Sequence, residues 1–201
     1  CRQYTGRIFN ERWHGYGKQK NICAGYAKNR WGLNVDADEV VTPELAEEIL
    51  SILKSGPHYP VYHLPRKNYF GDRWVRFGGW YPDRILRLYD KEKVAFSEVQ
   101  VHEKLTTGEN VGSLKNPLIH YSYCNREDYV QRQERYSMLY AQEKIESGFR
   151  PNWTHLYLRP PLIFLKNFVL KMGFMEGSLG FFLAKGAAIY TYQKYAKTQY
   201  K

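Results

Sequence analysis

The amino-acid sequence predicts an α/β fold, a mixed sheet layered with helices and extended by further helices at its C-terminal end. Three observations predict it. A helix, a strand, an acidic turn and a second helix follow one another between residues 18 and 55. Short apolar runs broken by Gly and Pro fill residues 59–103 and read as strands. Helical patterns then occupy 125–201. The 201 residues suffice for one core and an extension, and we place the boundary between 1–124 and 125–201.

Tyr4-Thr5-Gly6-Arg7-Ile8-Phe9 reads as an opening strand, so the chain reads as entering a domain already under way. A helix from about Lys18 to Arg30 shows an apolar face at Ile22, Cys23, Tyr26 and Ala27. Trp31 to Val35 is a short strand that runs into Asp36-Ala37-Asp38-Glu39. Thr42-Pro43-Glu44 supplies an N-cap, a first-turn proline and a first-turn acid, and Gly56-Pro57 stops that helix. Strands are expected at Pro60–Pro65, Arg73–Phe77, Arg84–Tyr89, Val94–Val101 and Leu118–Tyr121. Asn125 caps a charged helix that ends near Gly148.

The net charge is +10, which favours an anionic partner. Residues 150–201 hold eight Lys/Arg and one acid, Glu176, so most of the excess sits in one terminal segment. That concentration argues against a nucleic-acid-coating surface. Leu162, Leu165, Val169 and Met172 have helical spacing beside Lys166 and Lys171, the pattern of a basic helix lying in a membrane interface. Two helices packed on the domain's own core would use the same residues. No apolar run is long enough for a conventional membrane span. Cys1, Cys23 and Cys124 show no metal-ligand spacing and are expected as buried free thiols in a reducing compartment.

The sharpest chemical feature is Asp36-x-Asp38 at a strand end. Two such carboxylates repel unless a cation joins them, and hard Mg²⁺ or Mn²⁺ suits oxygen ligands and a diphosphate. An acidic turn capping the next helix would have the same composition. His120 between apolar residues is a candidate third ligand or a packed core histidine. His102-Glu103, after the strand ending at Val101, offers a general base. Gly78-Gly79-Trp80-Tyr81-Pro82-Asp83 offers flexible backbone, two faces for sugar rings and a second carboxylate. Lys18, Lys20 and Asn21 at a helix start suit an anionic or nucleobase ligand.

Five motifs occur in order: Trp13-His14-Gly15-Tyr16-Gly17-Lys18-Gln19-Lys20-Asn21, Trp31 to Glu39, Gly78 to Asp83 with Arg87-Leu88-Tyr89, Val101-His102-Glu103, and Leu118 to Ser122. Together they resemble the family 2 glycosyltransferases of the lipopolysaccharide-core β-1,4-glucosyltransferase type, over essentially the whole chain. The resemblance implies a GT-A fold (a Rossmann-like mixed sheet, here N-terminally truncated because the uridine-gripping strands have no counterpart). It also implies a nucleotide-diphosphate sugar of the UDP-glucose type as donor, a divalent metal (Mg or Mn) and inversion at the anomeric carbon.

Residue by residue, Asp36 and Asp38 match the metal and diphosphate site, with His120 as a further metal ligand. Lys18, Lys20 and Asn21 match the nucleotide-sugar helix. Glu103 falls at the catalytic base, with Asp83 second. Gly79, Trp80, Tyr81 and His102 match the acceptor side. The resemblance implies a glycolipid acceptor, an anionic membrane surface as partner, no nucleic acid, and a cytoplasmic enzyme peripheral to the inner face of a bacterial membrane. An inactive remnant of such an enzyme and a basic nucleic-acid-binding module are the alternatives.

Overall fold

The computed structural model describes residues 2, 3, 5–97, 105, 106 and 110–199. In chain order it contains α1 (Tyr16–Tyr26), β1 (Trp31–Leu33), β2 (Glu39–Val41), α2 (Pro43–Ser55), β3 (Val61–Phe70), β4 (Arg73–Trp74) and β5 (Asp83–Asp90). There follow β6 (Ala95–Phe96), β7 (Leu105–Thr106), β8 (Gly112–Ser113), β9 (Leu118–Tyr123), α3 (Arg126–Glu146), α4 (Arg159–Leu165) and α5 (Gly177–Ala196). The chain divides into two compact units, and α2, β3 and β5 each run from one into the other. The α/β class with a mixed sheet and a helical C-terminal region is as the sequence predicts.

The first unit gathers residues up to 35, 49–64 and 86–114. Here β1 lies antiparallel to β5, with Trp31 opposite Asp90 and Leu33 opposite Leu88, while β8 runs parallel to β3. Val61, Tyr89, Val94 and Phe96 form its core, with Ala24 of α1 and Leu86 packed against them. The Asn21 side chain acts as a peptide surrogate on β6: its amide donates to the Phe96 carbonyl at 2.9 Å and its oxygen accepts from the Phe96 N–H at 2.9 Å.

That bond turns Asn21 and Ala24 of α1 toward the core, so Cys23 is exposed. Cys124 is exposed as well, and the expectation of buried thiols fails at both. The expected opening strand is also absent. Residues 5–9 are irregular, and Phe9 stacks flat on Tyr26 at 3.9 Å instead of entering a ladder.

The second unit gathers residues 36–48, 65–85 and 115–201. β9 is central: it pairs in parallel with β3 and antiparallel with β2. β4 returns antiparallel along the end of β3, with Tyr69 opposite Trp74. Val75, Tyr129, Leu179 and Leu183 form the core, joined by Phe70, Trp80, Tyr123 and Phe182. α5 packs on both α3 and α4.

Asn125 caps α3 as expected, its side chain accepting from the Asp128 N–H at 2.8 Å. Thr42 Oγ1 accepts from the Leu45 N–H at 3.2 Å at the head of α2. The expected strand Arg73–Phe77 stops at Trp74: Val75 N–H still donates to the Asn68 carbonyl of β3, but Arg76 and Phe77 N–H both turn to the Glu176 carboxylate.

Pro160 and Pro161 sit in the first turn of α4. That helix is flanked by π-helical turns at Thr154–Leu158 and Lys166–Leu170. Wider turns accept a residue that cannot donate and whose ring crowds the turn before it. The outward side of this stretch is apolar: Tyr157, Leu162, Leu165, Val169 and Leu170 are each about half or more exposed. No helix among the described residues is long and apolar enough to cross a membrane.

Candidate active site

Strand register builds the site. Glu39 of β2 and Asn68 of β3 both stand opposite His120 of β9, so the three form one row across the sheet of the second unit. Side chains two residues apart share a face, which brings Arg66 and Ser122 to the same side. Asp38 immediately precedes β2, and its carbonyl accepts from the Tyr121 N–H at 2.9 Å, holding the turn against β9.

The polar groups close into a network. The Glu39 side chain is wholly buried. One oxygen accepts from Arg66 Nη1 at 3.2 Å and the other from the Asp36 N–H at 2.9 Å. Arg66 Nε and Nη2 donate to one oxygen of Asp83, Oδ2, at 2.9 and 2.7 Å. Asn68 Nδ2 donates to that same oxygen at 3.1 Å and to the Trp80 carbonyl at 3.0 Å. Burial pulls the Arg66 guanidinium down most, but Asp83 and Glu39 together outweigh it and hold it above its ordinary value.

The orientation of Asn68 fixes the tautomer of His120. Its amide nitrogen faces two acceptors, so its oxygen faces His120 Nδ1 at 2.7 Å and accepts from Ser122 Oγ at 3.1 Å. With Ser122 Oγ also 2.8 Å from Nδ1, the short contact to the amide oxygen is a hydrogen bond in the tautomer that carries its proton on Nδ1. His120 Nε2 then presents a lone pair to Asp38 Oδ2, 3.5 Å away. That contact would be an ion pair only with a charged ring. Burial, then repulsion from Arg66, holds the His120 ring below its ordinary value despite the pull of Asp38 and Glu39. The ring is neutral near pH 7, and two electron-pair donors converge.

Asp38 supplies the carboxylate oxygen that Mg²⁺-type sites use together with water and substrate phosphate, and His120 would add a nitrogen ligand. The expected three-residue set does not form. Among the described residues no group of three His, Cys, Asp or Glu is arranged to hold a metal. Asp36 lies exposed in the turn, and Asp38 and His120 are the two brought together.

The loop before Asp83 is held from behind. Glu176, 4% exposed, accepts from Arg76 N–H at 2.7 Å, Phe77 N–H at 3.1 Å and Arg73 Nη2 at 2.7 Å. Gly78 N–H donates to the Lys171 carbonyl at 2.8 Å. Gly78 and Gly79 have φ of 72° and 85°, where a side chain is strained, and a Cβ on Gly79 would meet Lys171 Nζ at 2.4 Å. The C-terminal helices and the loop carrying Trp80, Tyr81 and Asp83 thus form one packed body, with Gly173 and Gly180 in backbone contact beneath it.

Of the other expected site residues, Lys18, Lys20 and Asn21 lie on α1 in the first unit. Lys18 is exposed, Lys20 Nζ sits 5.3 Å from the Phe96 ring centroid, and Asn21 holds β6. His102 and Glu103 lie outside the described residues. The sequence placed Glu39 in the acidic cluster without a role, and Arg66, Asn68, Ser122 and Glu176 were missed as parts of the site. Alternation along β3 and β9 was the available signal, since Arg66/Asn68 and His120/Ser122 are polar pairs two apart in strands.

Comparison with known proteins gives the family. The family model described as glycosyl transferase family 2 matches residues 5–111. The lipopolysaccharide core biosynthesis glycosyltransferase LpsC of Rhizobium meliloti (strain 1021) is 28% identical over 198 residues, covering 95% of this chain and 72% of that protein. An uncharacterized glycosyltransferase of Rickettsia bellii (strain RML369-C) is 28% identical, over 84% of this chain and 61% of its own length. The uncharacterized glycosyltransferase RP128 of Rickettsia prowazekii (strain Madrid E) is 29% identical, over 84% and 62%. The chain thus spans less than two thirds of these two rickettsial relatives. With the family model matching more than half of its length, the chain belongs to glycosyl transferase family 2.

Proposed function

We propose that the chain serves an inverting hexosyl transfer from a nucleotide-diphosphate sugar of the UDP-glucose type to a lipopolysaccharide-core or related cell-surface glycan. The observation that carries this is the convergence of Asp38 Oδ2 and His120 Nε2 at 3.5 Å beside the loop that holds Asp83. The Rhizobium meliloti relative, named a lipopolysaccharide core biosynthesis glycosyltransferase, supports the acceptor class.

In this reading Asp38 and His120 hold the divalent ion, which neutralises charge on the leaving diphosphate when bound. Asn68 and Ser122 keep the His120 lone pair aimed at it. Arg66 holds Asp83 in place, and Trp80 and Tyr81 receive the acceptor sugar. Glu103 takes the proton of the attacking hydroxyl, with Asp83 as the other candidate. Asp36, Lys18 and Lys20 attend the nucleotide, and Gly79 and His102 the acceptor; Asn21, whose amide is taken up by the Phe96 backbone, holds β6 instead.

Titration of UDP with Mn²⁺ into the full chain tests it. Asp38→Ala should weaken Mn²⁺-dependent UDP binding by about 10–100-fold, the range for groups that set a metal site. Binding of UDP with no Mn²⁺ dependence would remove the metal role. No UDP binding at all would favour the inactive-remnant reading.

The reading also places the protein on the inner face of the cytoplasmic membrane. Leu162, Leu165 and Val169 point outward beside Lys166 and Lys171, apolar area with cations at its edge. Each buried leucine contributes roughly 1.5–3 kcal/mol, and each cation near an anionic surface about 1 kcal/mol. Leu162→Glu with Leu165→Glu should therefore lower partitioning onto phosphatidylglycerol-containing vesicles by about tenfold or more. Unchanged sedimentation with vesicles would sink this placement.

A further inference from the structure

A second cluster of unusual chemistry lies on the opposite face of β3. Residues 67 and 69 alternate with Arg66 and Asn68, so they point away from the His120 network. Trp74, opposite Tyr69, shares their side. Lys67 Nζ lies 4.7 Å and the Arg76 guanidinium carbon 4.4 Å from the Trp74 ring centroid. Tyr81 meets the same indole edge-on at 5.3 Å. Tyr121, half exposed, packs with Tyr69 at 5.6 Å.

Three facts show that this cluster is not a finished structural unit. Two cations share one indole, yet among the described residues neither Lys67 nor Arg76 forms an ion pair with a carboxylate, whereas their neighbours Arg66 and Arg73 both do. Trp74 Nε1 is buried with no acceptor among the described residues, and an indole N–H is a donor that buried sites normally satisfy. The Arg76 backbone is pinned by Glu176, so its side chain departs from a fixed point.

We propose that Lys67, Trp74, Arg76 and Tyr81 form a subsite for an acidic sugar of the acceptor glycan. The inference rests on the transfer reading and deepens it. A carboxylate or phosphate on a pyranose ring matches each element. Arg76 offers two parallel N–H donors to a planar or tetrahedral anion, and Lys67 adds a point charge. Trp74 and Tyr81, both partly exposed, offer apolar area to a sugar ring. Tyr81 belongs to the loop expected to receive the acceptor, and it links the cluster to that loop. A lipid headgroup would supply the anion without the ring, and the aromatic pair would then have no function.

Binding of tetragalacturonate to the full chain, followed by calorimetry and indole fluorescence, tests the subsite against the neutral methyl ester of the same oligosaccharide. The acid should bind about tenfold or more tightly, and Lys67→Met and Arg76→Met should each remove most of that preference, as expected for lost charge-assisted hydrogen bonds. Arg76→Lys should restore part of it. Equal binding of acid and ester, or a preference that survives both Met variants, overturns the proposal. So does loss of phosphatidylglycerol-vesicle binding in these variants with the glycan preference intact. Mn²⁺-dependent UDP binding is measured beside it. Its absence with the acid preference retained would count against the transfer reading while supporting the subsite.

Discussion

Replacing Arg66 with methionine is expected to cost about 3–5 kcal/mol of stability, because it takes a bonded cation away from a buried carboxylate. Glu39 has no exposed side-chain area, and Arg66 is a cation bonded to it. Arg66 also holds Asp83 through two hydrogen bonds. In a chain of this size the melting temperature should fall by about 10 °C.

The cause is separable from simple loss of packing. Glu39→Gln in the Arg66→Met background removes the buried charge and should recover a good part of the loss. If the single variant unfolds within about 1 kcal/mol of the parent, the exposed-pair range, the network is not a buried ion site. The same variant has a titration signature. Arg66 is the second cause, after burial, of the low His120 pKa. Without it the imidazole should move up toward its ordinary value, readable by NMR. A ring pKa left in place would contradict the electrostatic account.

The other large effect concerns which carboxylate accepts the acceptor's proton. Asp83 Oδ2 already accepts from Arg66 Nε, Arg66 Nη2 and Asn68 Nδ2. An oxygen so occupied orients a loop better than it takes a proton. We therefore expect Glu103→Gln to lower turnover by about 10²–10⁴, the range for loss of a general base. Asp83→Asn should keep an oxygen facing Arg66, and its loss should stay below about 10², that of a displaced group. Turnover at saturating donor and acceptor decides between them, and the reverse order would give the base role to Asp83. The parent's fall in rate at acid pH should vanish only in the variant that removes the base.

The local rules of helix capping made α2 and α3 legible: Thr42-Pro43 and Asn125 sit where such residues satisfy first-turn donors. Asp38 and His120 were legible because strand ends and isolated histidines are few. Arg66 and Asn68 were not, because their meaning depends on register: only the pairing of Asn68 and Glu39 with His120 makes one row of them. Phe9 and Cys23 show the converse. Local pattern assigned one to a strand and the other to a buried face, and contacts distant in sequence decided otherwise, through Tyr26 and through Asn21 on Phe96.

Glu176 has one more consequence. It is the lone acid after residue 150, and it points inward onto the Arg76–Phe77 backbone. The outer surface of that segment therefore carries positive charge with no acid of its own to offset it. Its field has a fixed direction relative to the loop it braces. A polyanionic surface approaching from solution would exert a torque on the molecule before contact, turning this side toward itself. Added salt would slow that capture by screening the field over about 10 Å at 0.1 M, while the buried clamp, shielded from ions, would keep the loop in register throughout.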